Sequence, residues 1–218
     1  MNLIEVIKPK VFIETPIHGQ EILKRIERFG RISHKSESKI QSGTAEIFVK
    51  NLLKMGHESV LEHVSISVRY ICDRGISHEL VRHRLAAYTQ ESTRYCNYSG
   101  TIQFIKPLFY KKGTKNYDLW YKSCLASAET YTKLIKRGSK PEEARSVLPN
   151  SLKTEIVSTF NLREWRHVFE VRCKEGAHPQ IREIMIPTLK RFKERIPIIF
   201  DNFIIEKDKN LSFPFYIN

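Results

Sequence analysis

The chain has 218 residues, with 37 Lys and Arg against 24 Asp and Glu, a formal net charge of +13. Apolar residues make up 41% and aromatics 11% of it, enough to bury a core and too many for a disordered chain. No apolar run reaches the ~20 residues of a membrane span, Met1–Lys10 lacks the apolar stretch of a secretory signal, and Cys72, Cys96, Cys124 and Cys173 form no C-x-x-C pair, so the expectation is a cytoplasmic protein with reduced thiols.

In chain order, residues 3–14 read as a strand, broken by Pro9 and stopped by Pro16. Ile22, Leu23, Ile26 and Phe29 recur at helical spacing and predict a helix over 18–29, ended by Gly30. A second helix is expected over 43–55, with Ile47, Leu52 and Met55 inward and Gly56 as its stop. Residues 64–72 alternate, with Val64, Ile66, Val68, Tyr70 and Cys72 on one face, as a half-buried strand does. A turn at 73–75 then leads into a short helix over 76–83, and 101–105 reads as a strand. A long helix over 116–136 shows an apolar stripe of Tyr117, Trp120, Tyr121, Cys124, Ala128, Tyr131 and Leu134. Shorter helices follow over 141–147, 161–172 and 178–195, with a break at Pro197 and an unassigned tail from about 208. Helices dominate and the strands do not alternate in βαβ order. The expected fold is therefore α+β, one helix-rich domain over 1–218 with a small, mostly antiparallel sheet.

Three polar clusters could carry chemistry. The first is His57-Glu58-Ser59-Val60-Leu61-Glu62-His63. A zincin needs His four residues after His57, where Leu61 stands, and the inverted pattern needs His where Ser59 stands, so no metal is expected. The plain alternative is a helix start, with Ser59 capping and Glu62 completing a capping box. The second cluster runs from Arg82 to Tyr95, with Arg82, His83, Arg84, Gln90, Ser92 and Arg94 alternating with few apolar positions. Guanidinium forks match phosphate and carboxylate oxygens. If 90–95 is extended, Ser92 and Arg94 share a face; a solvated basic loop is the alternative. The third is the helix 161–172, where Trp165, Val168 and Phe169 face inward and Arg163 and His167 form an i, i+4 ridge. Arg172 in its last turn suits the helix dipole; an ordinary solvated helix is the alternative.

The run RHRLAAYTQESTRY, 82–95, resembles the signature of the flavin-dependent thymidylate synthases: RHR, two residues, Ser, four residues, Ser, one residue, Arg. HESVLEH, 57–63, resembles that family's His-Glu-(Thr/Ser)-x-x-Glu-His segment, and NLREWRHVFEVR, 161–172, resembles its C-terminal flavin- and nucleotide-binding helix. The resemblance spans about residues 55–195. It implies conversion of dUMP to dTMP, with 5,10-methylenetetrahydrofolate as carbon donor and NADPH-reduced FAD as hydride source. It also implies a homotetramer with active sites at subunit interfaces. Carried over, Arg82, His83 and Arg84 contact FAD, His57 sits near the flavin ring, and Ser59 and Glu62 help hold the cofactor. Asn161, Arg163 and His167 add FAD contacts. Glu79, Gln90, Ser92, Arg94 and Arg145 bind dUMP, and Arg172 reaches the uracil or flavin. Arg172, Ser92 and His57 are the residues expected nearest the reaction.

The match has departures. Ala87 stands where the pattern has Ser, Thr89 and Gln90 replace residues often Asn (or Ser) and Glu, and Glu79 replaces a common Gln. A carboxylate at 79, near an anionic substrate, must point away or pair with an Arg. Cys96 adjoins the motif but has no fixed base nearby in sequence, so it is not assigned as a nucleophile. The rival readings are a basic nucleic-acid-binding module, supported by the charge and the Arg–aromatic interleaving, and an NADPH-oxidising flavoprotein without methyl transfer. No recognition-helix pattern supports the first, so neither nucleic acid nor a membrane is expected as a partner. The charge itself is uneven: Lys106–Lys140 holds nine basic and two acidic residues and none of the motif residues.

Overall fold

The structure, a computed structural model, describes residues 2–207 and 215–217, the side chains of 207 and 215–217 excepted. The unassigned tail from residue 208 otherwise lies outside the described residues. In chain order the elements begin with β1 (Ile4–Ile7), β2 (Lys10–Ile13), α1 (Gly19–Ile32), α2 (Thr44–Lys54), β3 (Ser65–Asp73), α3 (Arg74–Leu80) and β4 (Ala86–Gln90). There follow β5 (Ile102–Ile105), α4 (Lys115–Lys136), α5 (Pro141–Ala144), β6 (Lys153–Asn161), α6 (Leu162–Arg172), α7 (Pro179–Arg195), α8 (Pro197–Phe200), β7 (Ile205–Lys207) and β8 (Phe215–Ile217). The fold is α+β and helix-rich, as expected.

The alternation in 64–72 sets the centre of the molecule. Val64, Ile66, Val68, Tyr70 and Cys72 are all buried. β3 pairs antiparallel with β6 along its whole length, from Ser65 opposite Asn161 to Asp73 opposite Lys153. β4 flanks β6 and β2 flanks β3, giving a four-stranded antiparallel sheet in the order β2-β3-β6-β4. The segment 3–14 does break at Pro9, and its halves join different sheets: β1 pairs in parallel with β5.

Sequence reading misses β6, which with β3 forms the interior of the four-stranded sheet. Its inward residues are Thr154, Ile156, Ser158 and Phe160. Two of the four are hydroxyl residues, so its hydropathy does not alternate although its burial does.

Two apolar clusters fill the fold. The larger packs α1, α6, α7 and α8 against one face of the sheet. Trp165 is its hub, with the Phe160, Phe169 and Phe192 rings 4.6, 5.3 and 5.0 Å away, and its indole N–H donates to the Ile66 carbonyl at 3.1 Å. The smaller cluster joins β1 and β5 to α4 through Ile4, Ile102, Phe104, Cys124, Ala128 and Tyr131.

Several boundaries differ from expectation. α1 runs through Gly30 to Ile32. A Cβ at Gly30 would lie 2.7 Å from the Phe48 ring, so this glycine admits α2 to close packing rather than ending the helix. The inward face of α2 is Ala45 and Val49, with Leu52 half-buried; Ile47 and Met55 point to solvent. Gly56 does follow the helix end, in the left-handed region at φ +72°. α3 starts two residues early because the Asp73 carboxylate caps it, accepting from the Ile76 N–H at 2.8 Å.

Candidate active site

The first group of site residues gathers around His83. α3 ends at Leu80, three residues short of the expected end, and residues 81–85 form a loop before β4. The Tyr88 hydroxyl pins that loop, at 2.6 Å from the Leu80 carbonyl and 2.8 Å from that of His83. The loop thereby turns His83 inward and leaves Arg82 and Arg84 exposed. Among the described residues neither arginine has a side-chain partner.

α6 meets this loop with both its ends. Its N-cap is Asn161, whose side-chain oxygen accepts from the Glu164 N–H at 2.8 Å. The Asn161 amide group remains free to donate. In the last turn, Arg172 donates from Nε to His83 Nε2 at 2.9 Å, from Nη1 to Glu79 Oε2 at 2.9 Å and from Nη2 to the Glu79 carbonyl at 3.0 Å. Three guanidinium N–H groups are used and two remain for a ligand. The Glu79 carboxylate thus pairs with an arginine.

Burial, the Arg172 charge and then His167 push the His83 imidazole down to about 4, so it is neutral at physiological pH. Burial also raises the Glu164 carboxyl above the usual carboxylate range.

His83, Glu164 and His167 offer three potential metal-ligand atoms within 4.8 Å of one another. A cation on His83 Nδ1 would force the ring proton onto Nε2, facing the Arg172 N–H donor 2.9 Å away. Two donors would then oppose each other, so the trio is better read as a cluster packed around the His83 ring than as a metal site.

The second group lies beyond β4. Gln90 donates to Ser77 Oγ at 2.8 Å and Thr154 Oγ1 at 3.1 Å. Residues 91–95 are not extended. The Ser92 carbonyl accepts from the Cys96 N–H at 3.0 Å and the Ser92 hydroxyl from the Arg94 N–H at 3.2 Å, closing a turn. Arg94 and Ser92 therefore do not share a strand face. Arg94 pairs with Glu142 at 3.2 Å, and Arg145 donates to Thr93 at 3.0 Å.

The third group is the 57–63 segment. Ser59–His63 is a 3₁₀ turn without a side-chain cap, so the capping box does not form. Glu62 reaches Arg163 instead, at 2.6 Å, and Glu58 reaches Arg166 at 3.0 Å. Among the described residues the His57 and Ser59 side chains have no hydrogen-bond partner.

The structure thus brings Glu79, His83, His167 and Arg172 together, joins Glu62 to Arg163, sets Ser92 and Arg94 in one turn, and brings Arg145 to that turn through Thr93. Sequence reading misses Glu164, Tyr88 and Thr93. Glu164 stands three residues after the N-cap Asn161, a spacing that reads as helix-start chemistry.

One cleft, of 740 Å³, runs between β2 and α7, and none of the predicted site residues lines it. A smaller one, of 220 Å³, takes in Glu79 with Asp73, Asn150 and His178. The loop carrying Arg82 and Arg84 leaves Val81 and Leu85 exposed, at 40% and 72%, and the turn after β4 leaves Tyr95 exposed, at 78%.

The sequence matches the family model "Thymidylate synthase complementing protein" over residues 18–198. A flavin-dependent thymidylate synthase of Pyrococcus horikoshii is 40% identical over 174 residues, covering 77% of this chain and 72% of that protein. This chain belongs to the flavin-dependent thymidylate synthase family. Another member, from Pyrococcus furiosus, is 37% identical over 176 residues, covering 78% and 71%. The fold is also similar to that of PolB, a UMP/dUMP methylase from Streptomyces cacaoi whose crystal structure contains 5-Br dUMP. The TM-score is 0.75 at 21% identity, over 91% of this chain and 96% of that one. All three sequence clusters of this family member, at 57–63, 82–95 and 161–172, fall inside the matched region.

Proposed function

We propose that this chain methylates dUMP to dTMP, with 5,10-methylenetetrahydrofolate as carbon donor and with FAD reduced by NADPH. The observation that carries the reading is the Arg172 guanidinium, held by His83 and Glu79 with two N–H groups to spare, beside the unpartnered Arg82 and Arg84. Paired cations serve orientation, and unpaired ones are free for anionic ligands.

The donor set fits FAD. Arg82 and Arg84 would hold its pyrophosphate, and the Asn161 amide and His167 would add contacts from α6. Arg163 and Glu62, joined at 2.6 Å, and the uncommitted His57 and Ser59 would border the same cofactor. When bound, the flavin supplies the hydride that reduces the transferred methylene. The residues of this chain bind and orient.

On the nucleotide side, Arg94 and Arg145 would take the dUMP phosphate, with Arg94 leaving Glu142 for it. Ser92 and Gln90 would address the nucleoside. The two remaining Arg172 donors would meet a uracil carbonyl and stabilise negative charge on its oxygen, while C5 gains the methylene carbon as the carbon–nitrogen bond to the folate breaks and gives up its hydrogen as a proton to water. His83, neutral, can accept from Arg172 without competing with it for anions. Burial raises the thiols of Cys72, Cys124 and Cys173 and keeps them protonated.

The site is completed by further copies, in a homotetramer. The exposed Val81, Leu85 and Tyr95 around the motif support this. No helix among the described residues is long and apolar enough to cross a membrane.

The test is direct. The purified protein should bind FAD, turn yellow, and form dTMP only when dUMP, the methylene donor and NADPH are all present. NADPH oxidation with no dTMP would favour the flavoprotein lacking methyl transfer. A protein that takes up no FAD and binds DNA with a steep salt slope would overturn the reading.

A further inference from the structure

Glu164 has no place in the chemistry assigned above, yet its carboxylate is turned inward. It is 8% exposed and sits in the first turn of α6. Its Oε1 lies 3.4 Å from His83 Nδ1, on the side of the ring opposite Arg172.

The hydrogen count on the ring is fixed by its neighbours. Arginine only donates. Its Nε–H points at His83 Nε2, so Nε2 must be the unprotonated nitrogen. A neutral imidazole then carries its one proton on Nδ1, which faces Glu164.

We propose that Glu164 is a positioning residue: its carboxylate holds His83 as the Nδ1–H tautomer, so that Nε2 stays an acceptor and orients Arg172 toward the substrate. The claim about substrate rests on the proposed function; the claim about the tautomer does not. The chain of contacts runs Glu164–His83–Arg172–Glu79 and links the first turn of α6 to its last through a loop residue. It resembles the arrangement in which a carboxylate fixes the tautomer of a catalytic histidine, with the base replaced here by an acceptor for a guanidinium.

The groups facing His83 leave few alternatives. From α6 come Glu164, His167 and Arg172. From β6 comes Phe160, an apolar edge at 6.2 Å. From β4, Tyr88 contacts only the His83 carbonyl. Glu79 of α3 is engaged by Arg172. The His167 ring is 5.8 Å away, edge-on. Glu164 is the one carboxylate placed to accept from Nδ1. Without it, the proton is free to move to Nε2, which would turn a donor toward Arg172 and release the guanidinium.

The experiment is long-range ¹H–¹⁵N correlation NMR of the full-length, FAD-loaded protein carrying ¹⁵N-histidine, with His83 assigned by its loss in His83→Gln. The wild type should show His83 protonated on Nδ1 and bare on Nε2. Glu164→Ala should move the proton to Nε2 or mix the tautomers. It should also lower dTMP turnover by about tenfold or more with flavin content unchanged, as loss of a histidine's second partner does elsewhere. Glu164→Gln, whose amide oxygen still accepts, should keep the wild-type tautomer and most of the rate, which a merely structural role would not predict. A wild-type His83 protonated on Nε2, an unchanged tautomer in Glu164→Ala, or equal loss in both variants would overturn the proposal. If the wild type made no dTMP, the function would fail while the tautomer reading would still decide the positioning role.

Discussion

Two basic regions of this protein look alike in composition and differ in structure. Lys106–Lys140 carries nine basic residues against two acidic ones. Among the described residues none of those nine is in an ion pair, and most lie exposed along and beside α4. In the site, by contrast, Arg172, Arg163, Arg166 and Arg94 each face a glutamate, Arg145 faces a threonine, and Arg82 and Arg84 have no side-chain partner among the described residues. Held charge is aimed; free charge on a solvated helix is screened within ~10 Å. The global excess therefore marks the wrong part of the molecule, and the site is recognised by how few of its cations are left without partners.

The largest expected effect comes from removing the cation that His83 and Glu79 hold together. Arg172→Ala should cost on the order of 2–5 kcal/mol of transition-state stabilisation, read as a fall in kcat/KM for dUMP. Retained wild-type turnover would break the contrast between held and free charge.

The His83 imidazole gives the next effect. The unfolded chain takes up a proton on it near its ordinary value, whereas the folded chain resists until about pH 4. Folded stability from this group is complete above about pH 6.5 and is lost as pH falls toward 4, on the order of 3 kcal/mol across the window. Denaturant unfolding at pH 7 and pH 5 should show it, and His83→Gln should flatten the difference. The raised Glu164 carboxyl acts in the opposite sense and is best removed with Glu164→Gln in the same series.

Ser92→Ala should act more locally. Its hydroxyl only closes a turn onto the Arg94 N–H, so the expectation is a rise in KM for dUMP worth about 1 kcal/mol with FAD uptake intact. Loss of flavin would mean the turn borders the wrong ligand.

The smallest effect belongs to α4. Replacing Lys122, Lys133 and Lys136 together by Ser should leave kcat within about twofold and each site within about 0.5 kcal/mol of stability, with at most a weaker salt dependence of KM.

The same contrast explains what sequence reading reaches. β3 is legible because its burial and its hydropathy alternate together. β6 is not, because Thr154 and Ser158 occupy inward positions. Gly30 reads as a helix stop, yet its use is the approach of Phe48, which only three dimensions reveal. The RHR motif and Arg172 are legible through fixed spacing. Glu164 is not, since its signal is the 3.4 Å contact across a loop rather than any spacing along the chain. The pairing of Glu79 with Arg172 turns an awkward substitution into part of the same cluster.

The central claim is that a few placed arginines, not the bulk charge, make this chain a thymidylate synthase. Tritium release from [5-³H]dUMP with 5,10-methylenetetrahydrofolate and NADPH tests it most directly, run side by side on the wild type, Arg172→Ala and the α4 triple variant. The account predicts release by the wild type, an α4 variant within about twofold of it, and a loss of at least about thirtyfold in Arg172→Ala, the factor equivalent to 2 kcal/mol. Release abolished by the α4 changes but untouched by Arg172→Ala would contradict it.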